Sequence, residues 1–96
     1  MVQLTPPVTS ERIEHELGYA RREWGAIPSY VAAWEQWDED ERLDFVIEWP
    51  IRESALTLLR GWASQGLLTL DQRREYEDIL CTVAKYRPLL APLLAD

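Results

Sequence analysis

The chain has 96 residues, 47% of them hydrophobic and 28% charged, with ten basic and 17 acidic side chains and a formal net charge of -7. A chain of this size fits one domain, 1–96, that buries roughly 60 to 70% of its unfolded surface, and five tryptophans argue against a disordered polymer. An acidic surface repels phosphate backbones, so direct nucleic-acid binding is disfavoured. A single cysteine, Cys81, excludes an intrachain disulfide and a one-chain thiolate cluster, and it favours a reducing, cytoplasmic setting. No run of about 18 apolar residues or signal-like start occurs, which predicts no membrane association.

The elements predicted along the chain are helices. After a Pro-rich lead-in over residues 1–8, Thr9 or Ser10 can cap a first helix in which Ile13, Leu17, Ala20 and Trp24 step by four, three and four residues onto one stripe, with Gly25 as terminator. Pro28 suits the first turn of a short second helix whose Tyr30, Val31, Trp34 and Trp37 share a face. Asp38 and Glu41 have capping-box spacing and open a third helix. Pro50 cannot donate a hydrogen bond to Val46, and its ring collides with that carbonyl. On a helical wheel Leu43, Val46 and Ile47 point about 110° away from Ile51, Ala55, Leu58, Leu59 and Trp62, so a separate fourth helix is expected after Pro50.

Gly66 ends that fourth helix, and Thr69 with Gln72 opens a fifth that presents Tyr76, Ile79, Leu80 and Val83 and stops before Pro88. The stretch Leu58–Tyr76, with its Gly66-Leu67-Leu68-Thr69 turn, resembles the helix-turn-helix element of bacterial short C-terminal helical-hairpin domains. The resemblance implies a helical hairpin and carries no function. Residues 88–96 read as an apolar tail limited to single turns by Pro88 and Pro92. The expected fold is therefore all-α, a compact bundle or array of about five short helices with a Pro-punctuated C-terminal tail.

Residue patterns that carry chemistry are missing. Counted from Asp38, the fifth, sixth and twelfth positions of a calcium loop are Arg42, Leu43 and Trp49, none of which fits. His15-Glu16 begins like a zinc-protease helix, but Tyr19 stands where the second histidine belongs, and His15 is the only histidine. Cys81 lies beside Glu77, Asp78 and Arg74, with no basic cluster to favour its thiolate. Isolated glycines make no phosphate-cradling loop. The sequence predicts no catalytic residues, no metal site and no cofactor, and a protein that is not an enzyme.

The distribution of charge and aromatic residues is more informative. Glu35 to Glu48 holds seven carboxylates against Arg42, which accounts for -6 of the net charge, and is framed by Trp34, Trp37 and Trp49. Asp38, Glu39, Asp40 and Glu41 have a local role at a helix start, where the macrodipole favours negative charge. Phe45 and Trp49, four residues apart, form a second apolar patch opposite Leu43, Val46 and Ile47. A helix with two apolar sides is either central in its own bundle or reserves one side for another chain. The leucine tail poses the same choice between docking on its own bundle and entering a second subunit.

Candidate interaction residues are therefore Trp37, Glu41, Asp44, Phe45, Glu48 and Trp49, together with Leu89, Leu90, Leu93 and Leu94 in the tail. The functional expectation is a small acidic protein-protein interaction module that self-associates as a homodimer. The alternative is an acidic inhibitor, antitoxin or immunity-like protein that masks a basic partner surface.

Overall fold

The computed structural model describes residues 8–95, of which 88% are helical and none belongs to a strand. The elements are α1 (Ser10–Gly25), α2 (Ile27–Ala33), a 3-10 turn (Trp34–Gln36), α3 (Glu39–Ser64) and α4 (Leu70–Leu94). The all-α expectation holds, but three long helices and one short one replace the five short helices expected. The lead-in read over residues 1–8 lies, apart from Val8, outside the described residues.

The helix starts follow the sequence closely. The Thr9 hydroxyl accepts a hydrogen bond from the Arg12 amide at 3.1 Å. Asp38 accepts from the Glu41 amide at 2.8 Å while the Glu41 carboxylate accepts from the Asp38 amide at 3.3 Å. Thr69 and Gln72 make the same reciprocal pair at 3.1 and 2.9 Å. Each arrangement satisfies amides that the first helical turn would otherwise leave bare.

At the end of α3 the Gly66 amide reaches the Ala63 carbonyl at 3.1 Å, and the Leu67 amide reaches Trp62 at 3.0 Å. This Schellman pattern needs a left-handed residue, and Gly66 has φ 74°. No atom lies near a built Cβ there, so conformation rather than space is what calls for glycine.

The prolines depart from expectation. Pro50 lies inside α3, and Pro88 and Pro92 lie inside α4, so the separate fourth helix and the irregular tail are both replaced by continuous helix. An interior proline costs about 3 kcal/mol in an isolated helix. Here all three rings are exposed, so the carbonyls they leave unpaired can bond to water.

Burial on both sides of each proline supplies the compensation. Phe45 and Trp49 precede Pro50, while Ala55, Leu59 and Trp62 follow it, and all are buried. Leu90 and Leu93 are likewise buried around Pro92. The buried α3 positions 45, 49, 55, 59 and 62, with the half-buried 52, 56 and 63 among them, keep to one side of the helix through Pro50.

The bundle is organised around α1, which packs against α2, α3 and α4. Its predicted stripe of Ile13, Leu17, Ala20 and Trp24 is fully buried. α2 continues along α4 where α1 stops, and Ile27 joins the same core. A buried polar tie fixes the far end: the Gln72 amide donates to the Ser10 hydroxyl at 3.1 Å and to the Glu14 carboxylate at 2.9 Å. Ion pairs Arg21–Glu75, Arg52–Glu23 and Arg87–Glu53 link the helices at the surface. The molecule is flattened, 48 × 32 × 19 Å, because α3 and α4 flank α1 rather than enclosing it.

Candidate interaction surface

The aromatic residues around the acidic run form one contiguous cluster. Phe45 lies at its centre, with ring centroids 5.1 Å from Tyr30, 5.7 Å from Trp34, 5.8 Å from Trp37 and 5.5 Å from Trp49. Trp49 in turn meets Trp24 edge to face at 5.2 Å. Both indole N–H groups of that pair are buried without a hydrogen-bond partner among the described residues, so ring contacts hold them.

Phe45 is 4% exposed and Trp49 1%. The expectation that this pair forms an outer patch is thus corrected: α1, α2 and the 3-10 turn cover them. The same packing corrects the idea that α3 is the central helix, a place that α1 takes.

Arg42, the one cation of the acidic run, turns inward. Its Nε donates to the Trp34 carbonyl at 2.9 Å, and its guanidinium lies 5.4 Å from the Trp34 ring. The seven carboxylates from Glu35 to Glu48 are all exposed, and none joins an ion pair among the described residues.

Trp37, Glu41, Asp44, Phe45 and Glu48, predicted from sequence, do come together. With Tyr30 and Arg52 they line a cleft of ≈ 340 Å3 whose floor is aromatic and whose rim is acidic. The Arg52 guanidinium lies 5.9 Å from the Tyr30 ring and 5.6 Å from Phe45, and its Nε meets Glu23 at 3.3 Å. The Tyr30 hydroxyl donates to the same Glu23 carboxylate at 3.1 Å. Burial first, and then the neighbouring negative charge of Glu23, raise the Tyr30 pKa above its ordinary 10.0.

The leucines of the C-terminal segment divide between inside and outside. Leu90 and Leu93 are buried, Leu94 is half-buried and Leu89 is exposed. The buried pair completes the α4 core face, and none of the four joins the cleft. Leu93 instead borders a second depression with Trp34, Arg42, Leu43 and Val46.

Of the eight large apolar side chains left exposed, Leu67, Leu70, Leu80 and Leu89 lie in the turn before α4 or on α4, and the other four lie elsewhere on α3. Leu43, Ile47, Ile51 and Leu58 are 56, 61, 70 and 36% exposed. Their steps of four, four and seven residues keep them within about 80° of one another on the helix. Sequence reading assigned Ile51 and Leu58 to the core and took Phe45 and Trp49 as the candidate free face. Local spacing does not distinguish the two seams, because each holds apolar residues at helical steps and the half-buried Arg52 interrupts the covered one.

Beside the exposed stripe, His15, Glu16 and Tyr19 of α1 and Ile51, Ser54 and Leu58 of α3 enclose a hollow of ≈ 360 Å3. Among the described residues no three or more metal-ligating side chains converge, and no helix is long and apolar enough to cross a membrane. Comparison of the chain with family models, curated proteins and solved structures finds no match.

Proposed function

We propose that this chain is a small protein-protein interaction module, self-associating in its principal form, whose working surface is the outer face of α3 with the acidic residues beside it. The observation that carries the reading is the stripe Leu43, Ile47, Ile51 and Leu58, four large apolar side chains in line on the solvent side of the longest helix. Scattered exposed leucines need no explanation, but contiguous apolar rows mark interaction surfaces. The reading assigns no catalytic step and no cofactor. An exposed, unpaired Cys81 is compatible with a reducing, cytoplasmic setting.

A photo-crosslinking amino acid placed at Ile51, in cells that make the protein, is expected to yield a discrete cross-linked species. The same group at Ala84, exposed on α4, is expected to yield none. Equal labelling from both positions, or none from either, would remove the α3 face as a working surface.

The cleft favours a second reading, in which the chain masks a basic partner surface. Exposed carboxylates of Glu41, Asp44 and Glu48 ring an aromatic floor there, a combination suited to an inserted lysine or arginine. Association of that kind weakens as salt rises, whereas apolar self-association of a chain carrying -7 does not. Binding that is insensitive to ionic strength would exclude the basic partner.

A further inference from the structure

We infer that the occupant of the exposed α3 stripe is a second copy of this chain, packed antiparallel through α3 about a two-fold axis between Pro50 and Ile51. The inference rests on the proposed self-association through the α3 face, and it adds the direction and register in which the second copy packs.

Three features of the surface point to this arrangement. The first is charge. Residues 39–48 of α3 carry five carboxylates and one arginine, net -4, while residues 49–64 carry Arg52, Glu53 and Arg60, net +1. Parallel packing would set Asp44 against Asp44 and Glu48 against Glu48 along the seam. Antiparallel packing moves the centres of the two acidic halves about 21 Å apart along the axis, well beyond a Debye length of about 8 Å, and leaves only the Glu48 pair within about one Debye length.

The second feature is shape. A dyad between residues 50 and 51 sets Leu43 opposite Leu58, Pro50 opposite Ile51, and Ile47 opposite Ser54. Ser54 is the one small side chain in the seam, and beside it lies the ≈ 360 Å3 hollow bordered by His15, Glu16 and Tyr19. Ile47, 61% exposed, projects as a knob from its own helix, and the antiparallel partner's hollow lies where that knob falls. The two-fold axis makes the same contact twice, as a self-complementary interface requires.

The third is extent. The stripe from Leu43 to Leu58 runs roughly 23 Å along the helix, and α1 adds a rim on one side. That is a small footprint compared with the roughly 800 Å2 per partner of a standard interface, so the dimer is expected to be reversible and concentration-dependent in the micromolar range.

The test uses the whole chain, purified. Sedimentation equilibrium should give twice the chain mass at about 100 µM and a shift toward monomer below about 1 µM. Ile47→Glu and Ile51→Glu should each raise the dissociation constant at least about 30-fold, because each places a charge at the seam twice. Their circular dichroism and melting temperature under monomeric conditions should stay near those of the parent, since both side chains are solvent-exposed in the single chain.

Direction is read by oxidation in a Cys81→Ser background. Leu43→Cys mixed with Leu58→Cys should form a mixed disulfide-linked dimer, and neither variant alone should link to itself. Self-linking of each single variant would overturn the antiparallel direction while leaving α3 as the interface. A wild-type monomer at every concentration would overturn the second copy as occupant. Cross-linking from Ile51 to a different protein in cells would then keep the α3 face as an interaction surface and remove the self-association. A dimer indifferent to both glutamate substitutions would overturn the inference and the α3 reading together.

Discussion

Phe45 and Ile47 stand two residues apart in one helix, and their truncation to alanine should have opposite consequences. Phe45 is enclosed by Tyr30, Trp34, Trp37 and Trp49, with the Arg52 guanidinium 5.6 Å from its ring, whereas Ile47 is 61% exposed. Removing a buried phenylalanine costs about 3–5 kcal/mol, from lost transfer energy and the cavity left behind. The rings that frame Phe45 come from α2, the 3-10 turn and α3, so the cavity cannot collapse without moving three elements, which puts the expected loss at the upper end.

Alanine's higher helix propensity returns about 0.5 kcal/mol at either position. At Ile47 this roughly balances the small loss of apolar contact, and the net change should stay within about 0.5 kcal/mol. For a domain whose whole stability is about 5–15 kcal/mol, Phe45→Ala should shift the urea midpoint drastically and Ile47→Ala hardly at all. Urea titrations followed by circular dichroism, at about 1 µM to keep the chain monomeric, measure both. Similar losses at the two positions, or a larger loss at Ile47, would refute the register assigned to α3 and with it the exposed stripe.

Further substitutions probe the remaining elements. Asp38→Ala and Thr69→Ala should each lose about 1 kcal/mol in thermal or chemical melts by removing a side-chain cap, and no change at either would deny the capping box its role. Gln72→Ala should cost about 1–2 kcal/mol, because its amide bridges α4 to Ser10 and Glu14 from a site only 3% exposed; a neutral result would mean those helices are held by apolar contact alone. Pro50→Ala should stabilise the chain by about 1–2 kcal/mol by restoring a hydrogen bond to Val46, and a lower melting temperature would refute that account of Pro50 as a local cost to α3.

Tyr30 supplies a pH test. Its folded pKa is raised, so the stability it contributes is complete below its ordinary 10.0 and is lost as pH rises through the folded value. Tyr30→Phe should therefore flatten the alkaline loss of stability above about pH 10, and identical alkaline profiles for parent and variant would contradict the buried setting of Tyr30 beside Glu23.

The sequence by itself determined the helical class, the start of α1, α3 and α4, the turn at Gly66 and the core stripe of α1. These features depend on residues within four positions of one another, through capping hydrogen bonds, backbone conformation and helical spacing. The sequence also brought Trp37, Glu41, Asp44, Phe45 and Glu48 to one place, since consecutive helical turns align them beside the tryptophans that precede them.

Only the tertiary structure decided how far α3 and α4 extend and which side of α3 is free. Local chemistry argues for a stop at Pro50, Pro88 and Pro92, and it is overridden because buried side chains on both sides of each proline pack against α1 or α2. Phe45 with Trp49, and Leu43 with Ile47, are equivalent as apolar pairs at a spacing of four. What separates them is the position of α1, α2 and the 3-10 turn, which cover one seam and leave the other to solvent.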